Sequence, residues 1–513
     1  MSNLYDEAYE FLSDEKDLES TVVSKTKLDG EGDGNGDSDF ETTTDEVSHE
    51  ELKSIYRKID WRILTLLCGI YFFQFLDKSL LNYAAVMGIK KNLKGNEFSN
   101  LATILYCSYI VFEPISAYLF QVLPPAKFFS ACIICWGIVT TMTLFCESYA
   151  SLMVIRMLLG CFEACVAPGC ILITGMWWTH KQQLKRMGLW SIQAGTSTIV
   201  GGLLSYAFQH VHSTRQYLAS WQIFFLIMGL ATVIFGIVCL IFLPDSPTRA
   251  KFLNNREKKL VLEHIRKNQT GTENKTFKSY QLKELLYKDK QTWPMIILTI
   301  ISMVPTGAVG TFSVTIISTF GFSSEVTALV QMPVGVSTII SIVGATYLCA
   351  YFNGKHRAFI FISLLVPAII GYIVLLSSYE KVGNLLSVYL INTGTCVITM
   401  IYSWNGANTA GHTKRLARNC LTMVGFAIGN LIGPQLFKAK DYPHYRPAKI
   451  TLLVLTVVSI PLVLLVRYIS QLENIKRDRL AEETLSQWAQ EVGPNYEFKD
   501  LTDIENLTFR YQY

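Results

Sequence analysis

Long apolar runs separated by polar segments dominate this chain. Twelve runs can be counted, and they are long enough to cross a bilayer as helices, which takes about 20 residues. They lie at about 61–87, 98–120, 127–147, 150–177, 188–211, 221–243, 291–316, 326–351, 357–378, 384–408, 417–437 and 449–470. The pattern predicts an all-α membrane protein with twelve transmembrane helices.

A hydrophilic stretch divides the runs into two groups of six. Five parts are therefore predicted, and they are a disordered acidic tail at 1–60, an N-terminal half at 61–243, a central loop at 244–290, a C-terminal half at 291–470 and a polar tail at 471–513. In the central loop, the charge pattern at 254–266 predicts a surface helix.

Composition and charge agree with a membrane protein. Half of the 513 residues are hydrophobic and 17% are charged, whereas a soluble protein carries about 25% charged residues. Residues 1–50 hold sixteen Asp or Glu against three Lys and are rich in Gly, so this segment is expected to be disordered.

The number of runs and the basic loops predict an orientation. An even number of spans places both termini on one side, and Lys and Arg are more frequent in the loops of that side, which indicates the cytoplasm. Two loops on the other side, at 90–94 and 438–449, also carry basic clusters.

The first apolar run carries a polar stripe. Gln74, Lys78 and Asn82 recur every fourth residue, and Asp77 lies beside them on a helix. A charge at membrane depth costs about 2.5–3.5 kcal/mol, so such residues face protein or water and usually serve a function. Two interpretations stay open: a charge pair that only joins helices, or part of a pathway for a solute or a proton.

Three further charges lie in the second and fourth runs. Glu113 is followed by Pro114, and Arg156 and Glu163 are seven residues apart, which places them on one helix face two turns apart. Gly160 between them allows another helix or a ligand to come close.

The N-terminal half therefore buries three acids and two bases. One carboxylate is in excess, and a carboxylate without a full partner in a low dielectric can carry a proton at physiological pH. Asp77, Glu113 and Glu163 are the candidates for proton coupling.

Lys78 and Arg156 are the candidates for holding a substrate carboxylate, which Arg can bind through two parallel hydrogen bonds. The C-terminal half shows no comparable charge in its apolar runs and offers neutral polar side chains. Of these, Asn408 joins Gln74 and Asn82 as a candidate substrate contact, although most such groups, taken singly, are expected to join helices.

Several motifs resemble those of one family. They are Phe75-Leu-Asp-Lys-Ser79, Tyr109-Ile-Val-Phe-Glu-Pro114, the string from Arg156 to Gly169, Leu243-Pro-Asp-Ser-Pro247, Asn408-Thr-Ala-Gly-His-Thr-Lys-Arg415 and Gly429-Asn-Leu-Ile-Gly-Pro434. With them the chain resembles the fungal anion:cation symporters, the allantoate permease-like branch of the major facilitator superfamily, and most of all the yeast thiamine-pathway and carboxylate transporters.

This resemblance implies the major facilitator fold, with two six-helix halves that rock around a central site. It also implies uptake of a small organic anion with protons by a monomer. The plasma membrane is the expected location, with the endoplasmic reticulum membrane as the alternative.

Other classes of function were weighed against a transporter. No Gly-x-Ser-x-Gly, His-Glu-x-x-His or P-loop pattern occurs, so no enzyme, catalytic residue, metal or cofactor is predicted, and no nucleic-acid partner. A nutrient sensor that does not transport and an exporter of another solute class stay open as alternatives on the same fold. Lys78 and Arg156 disfavour a cationic solute because it would meet like charge.

Overall fold

The computed structural model describes residues 49–89, 93–209, 219–266, 278–352, 354–377, 380–441, 444–492 and 501–513. Within these ranges the chain forms helices and no strand. Eleven of the described helical stretches are long and apolar enough to cross a membrane. The predicted all-α class is confirmed; the prediction of disorder for residues 1–48 lies outside the described residues.

The described residues before the central loop form nine helices. They are α1 (His49–Ile59), α2 (Thr65–Met87), α3 (Glu97–Val122), α4 (Pro125–Met142), α5 (Tyr149–Glu163), α6 (Val166–Trp177), α7 (His180–Ser191), α8 (Gln193–Gln209) and α9 (Ser220–Phe242). A π-helical turn, Asp60–Leu64, joins α1 to α2. The apolar run predicted at 188–211 corresponds to α8, whose 17 described residues make it shorter than the eleven long stretches.

The rest of the described chain forms ten helices. They are α10 (Asn255–Arg266) and α11 (Ser279–Tyr287) in the central loop, and then α12 (Thr292–Ser318), α13 (Ser324–Val330), α14 (Met332–Tyr351), α15 (Arg357–Ser377), α16 (Lys381–Ile391), α17 (Val397–Ala407), α18 (His412–Gln435) and α19 (Arg446–Val492). A 3₁₀ segment, Asn392–Cys396, separates α16 from α17.

Proline interrupts the fourth span next to its charges. Pro168 has no N–H, so the carbonyl of Ala164, four residues earlier, cannot receive a helical hydrogen bond from it. The helix accordingly ends at Glu163 and starts again at Val166. The break thus lies one turn before Pro168 and places Glu163 at a helix end.

Glycines bring helices of the two halves into backbone contact. A Cβ placed on Gly195 of α8 would lie 2.5 Å from the carbonyl oxygen of Gly335 in α14, and one on Gly202 would lie 2.7 Å from the carbonyl oxygen of Ala328. Only residues without a side chain permit this separation, so α8 and α14 pack as a small-residue interface between the halves.

The disorder expected up to residue 60 is wrong for residues 49–59. These residues form α1, in which Leu52, Ile55 and Tyr56 are buried. The ring of Tyr56 packs edge-on against His264 of α10, with 5.3 Å between centroids. Apolar residues spaced three to four apart give this helix a face to bury, which outweighs the acidic composition of the preceding tail.

The boundary expected at residue 470 does not coincide with the end of a helix. Helix α19 continues to Val492, and residues 501–513 pack back onto the C-terminal half. In this terminal segment Asp503 is 0% and Tyr511 is 6% exposed, although its composition is polar. The C-terminal tail is therefore part of the folded bundle.

Candidate functional site

Asp77 is fixed on α2 by two donors from α4. The indole N–H of Trp136 donates to Oδ2 at 3.0 Å, and the hydroxyl of Thr140 donates to Oδ1 at 3.3 Å. The carboxyl group of Glu163 lies near enough to interact electrostatically with Asp77. Both oxygens of Asp77 are thus held, and a second buried acid lies beside it.

Glu163 has one oxygen bound and one free. The hydroxyl of Tyr109 on α3 donates to Oε2 at 2.5 Å, and the buried Oε1 has no hydrogen-bond partner among the described residues. A Cβ on Gly160, one turn earlier, would lie 2.5 Å from the carbonyl oxygen of Leu105, so the glycine is used for contact between α5 and α3. This close contact brings Tyr109 to Glu163.

Lys78 rests among aromatic rings. Its ammonium nitrogen lies 5.2 Å from the ring centroids of both Phe75 and Tyr109, and 5.7 Å from that of Phe426 on α18. Such positions stabilise a cation by about 0.5–2 kcal/mol. Because Phe426 belongs to the C-terminal half, Lys78 lies where the two halves meet.

Arg156 is 5% exposed and lies close to the same acids. Asp77 and Glu163 both attract its guanidinium electrostatically, and its carbon Cζ lies 5.6 Å from the ring centroid of Phe225. Its Nη2 is buried without a hydrogen-bond partner among the described residues. The predicted shared face of Arg156 and Glu163 therefore exists, and one donor of Arg156 is unused.

Glu113 lies on the side of the cluster nearest to the C-terminal half. Its charge acts on Lys78 and on Tyr402 of α17, and its Oε2 is buried without a partner among the described residues. The adjacent Pro114 lies inside α3 and removes one helical hydrogen bond there.

Gln74 and Asn82 complete the polar stripe of α2. Gln74 is 2% exposed and lies near the side chain of Tyr109. The amide of Asn82 donates to the hydroxyl oxygen of Ser313 on α12 at 3.0 Å, and Gln331 donates to the same oxygen at 2.9 Å. Asn82 therefore joins the two halves one turn beyond Lys78.

Asn408 does not lie with these residues. Its amide nitrogen donates to the backbone oxygen of Gln512 at 2.9 Å and to the side chain of Gln291 at 3.2 Å, and its Oδ1 accepts from the backbone N–H of Gln512 at 2.8 Å. Asn408 therefore anchors the C-terminal segment, and its prediction as a substrate contact is wrong.

The C-terminal half does bury charge, contrary to the expectation from its apolar runs. Lys414 and Arg418 belong to the first turns of α18 and are 0% and 2% exposed. Arg418 pairs with Asp289 at 3.0 Å, and Lys414 pairs with Glu284 at 2.9 Å and with Asp503 at 2.8 Å. Residues outside the apolar runs supply the partner acids, which a search within the runs could not find.

A matching ion pair occurs in the N-terminal half. Arg186 of α7 donates two hydrogen bonds to Asp60, at 2.8 and 2.7 Å. The pattern His-x-x-x-Leu-x-Arg ends at Arg186 and again at Arg418. In each half, this arginine connects the start of the fifth span to the start of the first span. The repeated pattern is the feature of the sequence that points to both ion pairs.

The sequence reasoning also missed the neutral groups that position the charges. Trp136, Thr140 and Phe426 lie within predicted apolar runs, and only the packing of α4 and α18 brings them to Asp77 and Lys78. Tyr109, four residues before Glu113 in the sequence, contacts Glu163.

This fold, with ionisable side chains buried between its spans, is that of a multi-pass membrane transporter. Residues 67–434 match the Major Facilitator Superfamily, and the chain belongs to this family.

Comparisons with known proteins give the same result. The chain is 51% identical to the thiamine pathway transporter of Saccharomyces cerevisiae over 468 residues, which cover 91% of this chain and 87% of that protein. It is 32% identical to the allantoate permease of the same yeast, again with 91% and 87% covered. These relatives are transporters and not enzymes, and the chain is consistent with a plasma-membrane location.

Among solved structures, the chain is similar to a bacterial homologue of the human lysosomal transporter Spinster in an inward-facing, occupied conformation. The TM-score is 0.59 and the identity 14%, with 80% of this chain and 97% of the other covered. Identity this low supports the fold alone.

Proposed function

We propose that this transporter takes up a small organic anion together with protons. The observation that carries the proposal is the composition of the buried cluster, in which Asp77, Glu113 and Glu163 face Lys78 and Arg156. The solute path lies between two halves of one chain, so a monomer suffices.

The two bases leave room for an anionic partner. Among the described residues Lys78 forms no direct ion pair, and Nη2 of Arg156 has no hydrogen-bond partner. A carboxylate between them would fill the free donor and interact with both charges, whereas a cation would meet two like charges. Allantoate permease, a relative of this chain, is named for a carboxylate.

The acids supply a reason for coupling to protons. Three carboxylates against two bases leave one negative charge, and an anionic substrate would add another in a low dielectric. A proton bound with the substrate would offset this cost. Glu163 is the preferred carrier because its buried Oε1 has no hydrogen-bond partner among the described residues and could accept the proton.

The end of the bundle opposite the termini is closed by contacts between the halves. The amide of Gln435 on α18 donates to the hydroxyl of Thr103 on α3 at 2.7 Å and to Asn100 at 3.3 Å. Near it, the rings of Phe98 and Phe312 lie 5.7 Å apart. With both termini in the cytoplasm, this end is the outer gate of an alternating-access cycle.

Uptake of labelled carboxylates by cells that produce this chain tests the proposal. Uptake should rise at acidic external pH, fall on addition of a protonophore, and be absent from cells without the protein. Carboxylate uptake indifferent to both treatments would reject proton coupling. A chain that reaches the membrane but moves none of the carboxylates would favour a sensor or an exporter.

A further inference from the structure

The C-terminal segment, residues 501–513, is docked through a buried relay of polar groups. The hydroxyl of Tyr511 donates to Asp503 at 2.7 Å and accepts from Arg477 of α19 at 2.8 Å. The other oxygen of Asp503 lies 2.8 Å from Nζ of Lys414, and both of these side chains are 0% exposed. Residues 501–513 therefore bind a specific surface formed by α18 and α19.

A second set of bonds fixes this segment to α19. The side-chain amide of Asn474 donates to the backbone oxygen of Tyr511 at 2.8 Å and accepts from its backbone N–H at 2.9 Å. This is the pattern in which two neighbouring strand residues pair. Arg477 also donates to the backbone oxygen of Phe509 at 3.0 Å. The segment therefore moves with α19.

The end of the segment reaches α17, the inner half of span ten. The indole N–H of Trp404 donates to the backbone oxygen of Gln512 at 3.0 Å, and Asn408, directly after α17, exchanges hydrogen bonds with the backbone of Gln512 at 2.9 and 2.8 Å. These three bonds tie the last turn of α17 to α19.

Span ten has a hinge at the other end of α17. The 3₁₀ segment Asn392–Cys396 interrupts the span, and a 3₁₀ stretch within a helix often marks a hinge. Asn392 is anchored by donating to the backbone oxygen of Val334 at 3.0 Å. On its other side α17 contacts α7 of the N-terminal half. A short helix thus lies between a hinge and the docked segment, against the opposite half.

The surface that binds residues 501–513 belongs to the C-terminal half alone. In the repeated pattern, Lys414 of α18 corresponds to Gln182 of α7, which has no charge to bind an acid. Burial and the neighbouring Asp503 carboxylate both raise the pKa of Tyr511, so its hydroxyl stays protonated and continues to donate at physiological pH.

We propose that residues 501–513 form an intramolecular latch that holds α17 and limits its swing on the hinge at 392–396. Release of the latch frees the inner half of span ten to move away from α7, which opens the end of the bundle that carries the termini. This role rests on the proposed alternating-access cycle, but the latch can be tested without any solute.

Hydrogen exchange of the full-length protein tests the latch with Tyr511→Phe and Asp503→Asn. Arg510→Ala is the matched control because Arg510 lies in the same segment, where its exposed pair with Asp478 (41% and 61% exposed) contributes little. In both latch variants, exchange at 397–408 should become about tenfold faster, the factor expected for loss of one hydrogen bond to a charged group. Exchange at 381–391 should not change.

Two results would overturn the latch. If exchange rises at 501–513 while 397–408 keeps its protection, the segment is only a packing element. If neither region changes in either variant, the relay through Tyr511 does not hold the segment. Because exchange is measured without substrate, either result leaves the proposed carboxylate uptake untouched.

Discussion

At the scale of single residues, the two bases of the cluster are held differently. Lys78 is surrounded by aromatic rings, whereas Arg156 has one ring neighbour, nearby acids and a free nitrogen. A planar guanidinium with an unused donor can grip a carboxylate at two points, which an ammonium cannot. Arg156 is therefore the more specific candidate for the substrate.

Arg156→Lys should reach the membrane in normal amount but bind the transported carboxylate more weakly. Lys keeps the positive charge but lacks the planar guanidinium that binds a carboxylate at two points. We therefore expect the apparent affinity to weaken about tenfold, or ~1.4 kcal/mol. The measurement is the concentration dependence of uptake, with surface abundance determined in parallel. Arg256→Lys, at an arginine side chain 60% exposed, is the control. Unchanged affinity in Arg156→Lys, together with loss of Arg156→Ala from the membrane, would make Arg156 structural.

Tyr109→Phe should change the pH dependence of uptake. The hydroxyl that donates to Glu163 favours the ionised carboxylate, so without it protonation is easier and half-maximal uptake should move to higher pH by about one unit. The ring near Lys78 is kept. Tyr106→Phe is the control, because Tyr106 packs edge-on against Tyr109 on the same helix. Identical pH profiles in the two variants would exclude Glu163 as the group that sets the profile.

At the scale of helices, short sequence features decide where the spans bend and touch. Pro168 ends α5 at Glu163, and the glycines of α8 and α14 let the two halves meet along their backbones. The first feature could be read from the sequence to within one turn. The second could not, because which glycines face each other depends on the packing of distant spans.

Gly195→Ala should lower the melting temperature and slow transport. The added carbon would lie 2.5 Å from the carbonyl oxygen of Gly335, and overpacking of this kind costs about 1–3 kcal/mol. Gly344→Ala on α14 is the matched control, since its Cβ would have nothing within 4 Å and alanine favours a helix. Thermal unfolding and uptake are measured for both. Equal behaviour of the two variants would contradict a close α8–α14 interface.

At the scale of the whole molecule, hydrophobic pattern and charge were enough to predict the all-α membrane class and to single out charged residues on α2, α3 and α5 that the structure buries. Buried charges in apolar runs are rare and therefore informative. The pattern missed Lys414, Asp503 and the role of Asn408, because these residues are buried by a tail and a loop folding onto the bundle. Polar composition could not reveal that contact.

For the whole transporter, we propose that an anion and a proton cross together. The most direct measurement uses the purified protein in liposomes that enclose a pH-sensitive dye, with the carboxylate added outside and no initial pH gradient. We expect internal acidification that accompanies uptake and exceeds that of protein-free liposomes. It also predicts that Glu163→Gln reduces this acidification. Uptake of the anion by the unaltered protein with no accompanying proton movement would rule out proton coupling.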